Sequence, residues 1–150
     1  MPVKKYNSAI EAMQAVSSIG QKTKVISIDN GFTITICSLG AQLETDSFIE
    51  CMNFWGQAFI YKHKLETLSR CIIAINDQNT SEILLDERKQ IIGSWSQGLV
   101  DNLYKEYAKL LGSVDEYLEK IKLTAQTNVI GVRDAEKVQQ KDLDEEKKDE

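Results

Sequence analysis

The sequence predicts a mainly helical α+β protein, a bundle of about four helices with one N-terminal β-hairpin over residues 1–123, followed by a charged tail over 124–150. Three observations predict it. Apolar residues recur at helical spacing through most of the chain from Thr45 to Leu123. Two β-branched runs flank Asn30-Gly31 within residues 24–37. Beyond Val132 the apolar residues thin out and charge dominates. A chain of 150 residues is long enough for one core that buries roughly two thirds of its unfolded surface without disulfide or metal staples.

The first element is a short helix from Asn7 to Ile19, with Asn7 or Ser8 as its cap, Ile10, Met13 and Val16 on a narrow apolar stripe, and Gly20 as its stop. Such a stripe lies on the edge of a core or becomes ordered against a partner. The period then changes. Val25-Ile26-Ser27-Ile28 and Phe32-Thr33-Ile34-Thr35-Ile36 enclose Asn30-Gly31, the pair that supplies the positive φ angles of a tight type I′ turn. A lone hairpin is marginally stable and has two open edges, so it must lie on the helices or pair with another subunit or partner.

From Thr45 or Asp46 to about Ile75 a long helix is expected. Phe48, Met52, Trp55 and Phe59 form one stripe, and Leu65, Leu68, Ile72 and Ile75 another. The polar run from Asn76 to Ser81 ends it. A shorter helix, Leu84 to Ile92, carries Asp86 and Glu87 near its start, where negative charge suits the helix dipole. Ser96 caps a last helical stretch to about Leu123, with Leu103, Tyr107, Leu110, Val114, Tyr117 and Ile121 in a heptad-like seam. Gly112 interrupts it, and Ser113 with Glu116 forms a potential capping box, so one long helix and two helices joined at a corner are both open. Arg133 to Glu150 holds eight acidic and five basic side chains, which gives −3 of the total −5. That tail is too polar to offset its ordering entropy by burial, and serves as a solubilising end or a docking segment.

Composition excludes several function classes. Net charge −5 opposes binding to a phosphate backbone, so nucleic acid is not an expected partner. No apolar run approaches the roughly 20 residues that span a bilayer, and no secretory signal opens the chain, so it is expected to stay where it is made. Cys37, Cys51 and Cys71 are an odd set at wide spacing, expected to be reduced, buried thiols.

Catalytic chemistry has little footing. His63 is the only histidine and lies among Lys62 and Lys64, which disfavour its charged form; a surface histidine is the expectation. Asp46 with Glu50, and Asp86 with Glu87, lack a further ligand at metal spacing. There is no phosphate loop, nucleophile elbow or C-x-x-C pair. No catalytic, cofactor or metal residue is therefore assigned, although an enzyme built on Asp46, Glu50 and His63 is the reading to exclude. The candidate partner-binding residues are Phe32 and Ile34 on the hairpin and Tyr104, Tyr107 and Tyr117 on the last helical stretch, because an apolar ring with a polar tip suits an interface rim as well as a core edge.

Three segments together carry a resemblance. Gly56-Gln57-Ala58-Phe59-Ile60-Tyr61-Lys62-His63-Lys64-Leu65-Glu66-Thr67-Leu68-Ser69-Arg70-Cys71-Ile72-Ile73-Ala74-Ile75-Asn76 precedes the Glu87-Arg88 helix and then Leu99 to Leu110, with its Leu103-Tyr104-Lys105-Glu106-Tyr107 run. Over roughly Ile34 to Leu123 this order resembles the tail-assembly chaperones and baseplate hub-assembly proteins of tailed bacteriophages. The resemblance implies a helical body that binds the tail tape-measure protein or another tail or baseplate protein, in the host cytoplasm or retained in the virion tail, and contributes no catalytic residues. It also implies a frameshifted longer form, for which Glu146-Lys147-Lys148 offers a codon run. The alternative is a small cytoplasmic adaptor or regulatory binding module with an acidic tail.

Overall fold

The computed structural model describes residues 4–16 and 19–127. In chain order these form α1 (Ala9–Val16), β1 (Thr23–Ser27), β2 (Thr33–Cys37), α2 (Ala41–Glu50), α3 (Gly56–Cys71), β3 (Ile72–Ile75), β4 (Gln78–Asn79), α4 (Leu85–Gly93) and α5 (Gln97–Leu111), with a further helix, α6, over residues 114–127. Two expectations are thereby corrected. The described residues hold six helices where about four were expected, and the hairpin is half of a four-stranded antiparallel sheet in the order β1-β2-β3-β4.

Both corrections arise in the segment read as one helix from Thr45 to Ile75. It breaks first at residues 51–55, and α3 opens on Gly56, whose φ of +58° is a left-handed conformation that glycine adopts without steric cost. The two apolar stripes are thereby divided: Phe48 lies in α2, Met52 and Trp55 in the break, Phe59, Leu65 and Leu68 in α3, and Ile72 and Ile75 in β3. The chain then turns into β3 at Ile72, where three of four residues are β-branched. Asn76 (φ +50°) and Asp77 (φ +65°) form the tight turn into β4. Asn76 also fixes β3 against β2: its N–H donates to the Thr33 carbonyl at 2.9 Å, and its Oδ1 accepts from the Thr33 N–H at 2.8 Å. The Thr80 hydroxyl donates to the Ile72 carbonyl at 2.8 Å and ties the returning chain to the same strand.

The β1–β2 hairpin ends on the Ser27–Thr33 pair, and the Ile28 N–H donates to the Phe32 carbonyl at 2.9 Å to close a three-residue 3-10 loop, Asp29-Asn30-Gly31, in place of the tight type I′ turn expected; Asn30 and Gly31 do have positive φ. The helical stretch from Ser96 is two helices. Gly112 at φ +127° ends α5, and Ser113 Oγ accepts from the Glu116 N–H at 3.3 Å to start α6. Of the segment expected to be a tail, residues 124–127 are helical with Ala125 buried, and the remainder lies outside the described residues.

The principal core joins the inner face of the sheet (Ile26, Ile34, Ile36, Ile72) to Leu68 and Cys71 of α3, Ile92 of α4 and Val100, Leu103 and Tyr107 of α5. Each fully buried isoleucine contributes about 2 kcal/mol by transfer from water. A second cluster, Cys51, Phe59, Ile121 and Ala125, lies between the α2–α3 corner and α6, and Tyr117 packs against both clusters. No helix of the described residues is long and apolar enough to cross a membrane.

Candidate functional site

Between α2, α3, α5 and α6 the fold leaves a cleft of about 220 Å³. Glu44, Ser47 and Phe48 reach it from α2, His63 and Thr67 from α3, Tyr107 and Leu111 from α5, and Tyr117 and Lys120 from α6, with Leu39 at the chain's entry to α2. His63 forms its inner wall. The expectation of a surface histidine is corrected, since the side chain is 2% exposed. The spacing of four from Phe59 through His63 and Thr67 to Cys71 puts all four on the inward face of α3. That repeat was readable in the sequence, and the flanking lysines masked it.

The environment of His63 is aromatic. Phe48 lies 4.7 Å away between ring centroids, Phe59 stacks at 6.1 Å with 10° between planes, and Tyr104 meets the ring edge-on at 5.9 Å. Its Nδ1 is 2.7 Å from the Tyr104 hydroxyl. Burial pushes the imidazole down to about 4; nearby Glu66 opposes the shift and Lys120 adds to it. At neutral pH the ring is therefore uncharged. Burial likewise raises the three tyrosines, Tyr117 to about 12 and Tyr104 and Tyr107 further, so none of them is a phenolate at neutral pH. Tyr107 accepts from the Leu39 N–H and donates to Glu44 Oε1, both at 3.3 Å, which holds that carboxylate at the cleft.

Glu66, one turn along α3, is fully buried beneath three cations. Its Oε2 accepts from Arg70, and its Oε1 forms ion pairs at 3.0 Å with both Lys62 Nζ and Lys89 Nζ. Burial alone would raise its carboxyl, but Arg70, Lys89 and Lys62 together outweigh burial and hold it below its ordinary value.

The predicted partner-binding residues are dispersed. Ile34 is buried under the helices, Tyr104 and Tyr107 are buried beside His63, Tyr117 is half-buried between the two clusters, and Phe32 alone is exposed, in the hairpin loop. The stripe read as core on the supposed long helix divides as well: Phe59 is buried and Phe48 half-buried, whereas Met52 and Trp55 are exposed. An uncovered apolar stripe belongs to α1. None of its residues is buried, and Ile10, Met13, Val16 and the following Ile19 are 69, 74, 60 and 75% exposed.

All three cysteines are buried, and burial raises each thiol, Cys51 to about 12 and Cys37 and Cys71 upward. Asp46 accepts from Gln42 Nε2 at 2.8 Å, and no group of three or more metal-binding side chains occurs among the described residues. The cleft holds one carboxylate, Glu44, beside a neutral histidine; Asp46 and Glu50 do not line it. No family model, no curated protein and no solved structure matches the chain.

Proposed function

We propose that this protein acts by binding other polypeptides, as an assembly factor for the tail or baseplate of a tailed bacteriophage, with the tape-measure protein or a neighbouring tail protein as its partner. One observation carries the reading: Ile10, Met13 and Val16 of α1 and the following Ile19 are large apolar side chains left mostly exposed among the described residues. Its local sequence specifies the helix, with Ser8 Oγ accepting from the Glu11 N–H at 3.2 Å and the Glu11 carboxylate accepting from the Asn7 N–H at 3.0 Å. A helix of 8 residues has little stability of its own, so an apolar face on it functions as a recognition element laid into a partner's groove. The resemblance over Ile34 to Leu123 supplies the class of partner, and the outer edge of β1, unpaired among the described residues, offers a second place for a partner strand.

The test is co-expression with the tape-measure and hub proteins of the same genome, comparing the native chain with the triple variant Ile10→Ser, Met13→Ser, Val16→Ser. The native chain should co-purify with one of them and the variant should not. Because these side chains are mostly exposed in the monomer, the variant's folding stability should stay within about 0.5 kcal/mol. Equal capture by the variant, or no complex with any tail component, overturns the proposal.

A further inference from the structure

The cleft at His63 brings two opposite charges together with several aromatic side chains. Two of its residues carry opposite charges and do not neutralise each other: Glu44 and Lys120 both line it, yet among the described residues neither belongs to an ion pair. Glu44 is held in place by the Tyr107 hydroxyl, leaving acceptor capacity free on the carboxylate. The walls between the two charges are aromatic, from Phe48, Tyr107 and Tyr117, and the inner end is closed by the uncharged His63. At about 220 Å³ the space is smaller than ordinary ligand pockets and on the scale of a single amino acid.

We propose that this cleft binds a small zwitterion, a free α-amino acid with an apolar side chain, whose ammonium group meets Glu44 and whose carboxylate meets Lys120. A simple amine would face the Lys120 ammonium unscreened, and a simple acid would face Glu44, so both charges select against half-ligands. The apolar side chain rests on the aromatic wall, where a few well-placed polar groups orient a largely apolar ligand. The site is formed by α2, α3, α5 and α6 and is independent of α1, so it can fail without affecting the assembly proposal.

Calorimetric titration of the full chain tests it with two matched sets: L-leucine against 3-methylbutylamine and 4-methylpentanoate, and L-phenylalanine against phenethylamine and 3-phenylpropanoate. At least one amino acid should bind saturably, and its amine and acid fragments should each bind about tenfold more weakly or worse, the weight of one charge-assisted hydrogen bond. Glu44→Gln and Lys120→Gln should each weaken binding by a similar factor while leaving the melting temperature unchanged, and the His63 ring resonances should shift on titration only in a chain that binds. No saturable binding of either amino acid, fragments that bind as well as the parent, or affinity unaltered in both variants overturns the proposal.

Discussion

Acidification from pH 7 to 5 should destabilise this protein through one residue. His63 is the only histidine, and burial among Phe48, Phe59 and Tyr104 lowers its pKa from 6.5 to about 4. In the unfolded chain the ring takes up a proton as pH falls through 6.5, whereas in the folded chain it resists until about 4. The folded state therefore binds fewer protons within that window, and the stability present above 6.5 is lost progressively as pH falls. A difference of about 2.5 pH units corresponds to roughly 3 kcal/mol in total, of which about 2 kcal/mol is lost by pH 5. For a chain of this size that lowers the melting temperature by roughly 4–8 °C. Urea unfolding at closely spaced pH values measures the slope, and NMR titration of the ring protons gives the folded-state pKa directly. The buried, depressed carboxyl of Glu66 acts only below its ordinary value of 4.5 and does not enter this window. His63→Gln removes the slope while keeping a polar partner for Tyr104. A ring titrating at 6 or above, or an unchanged slope in His63→Gln, refutes the reasoning.

Two further outcomes follow from the buried carboxylate and the buried thiols. Glu66→Gln leaves Arg70, which is nearly as buried, without its counter-charge; Lys62 can still swing into water, so the cost should be about 2–3 kcal/mol at neutral pH, below that of a wholly sealed ion pair. Because the Glu66 carboxyl is held below 4.5 in the folded state, its advantage exists above that value and fades as pH falls, and urea unfolding of both chains should converge in acid; an equal difference at every pH would exclude the ion-pair account. Cys37, Cys51 and Cys71 should resist a thiol reagent in the native chain and react together in urea, since all three are buried with raised thiol pKa values; rapid reaction of any one at neutral pH would place it at the surface.

Much of the local structure was readable because its signals are local. Ser8, Ser96 and Ser113 each accept from the N–H three residues on, as short polar side chains before helices do. Asn30-Gly31 marked a positive-φ turn, and Asp86 and Glu87 opened α4. The site was far less legible. Lys62 and Lys64 beside His63 argued for the surface, yet a helix turns about 100° per residue, so charged neighbours in sequence sit on other faces of α3.

By itself, then, the sequence determined the caps of α1, α5 and α6, the first hairpin, the narrow apolar stripe on α1 and the absence of recognisable catalytic motifs, because each depends on residues within a few positions of one another. Only the tertiary structure decided that Ile72-Ile73-Ala74-Ile75 extends as a strand, since four apolar residues fit a helix end or a sheet equally well until β2 supplies the facing hydrogen bonds. It alone decided that Glu44, His63, Tyr107 and Lys120, drawn from four helices, face one cleft, and that Glu66 lies under cations from both α3 and α4. The physical reason is common to both cases: burial and electrostatics depend on distance in space, which the packing of α2, α3, α5 and α6 sets and no local pattern encodes.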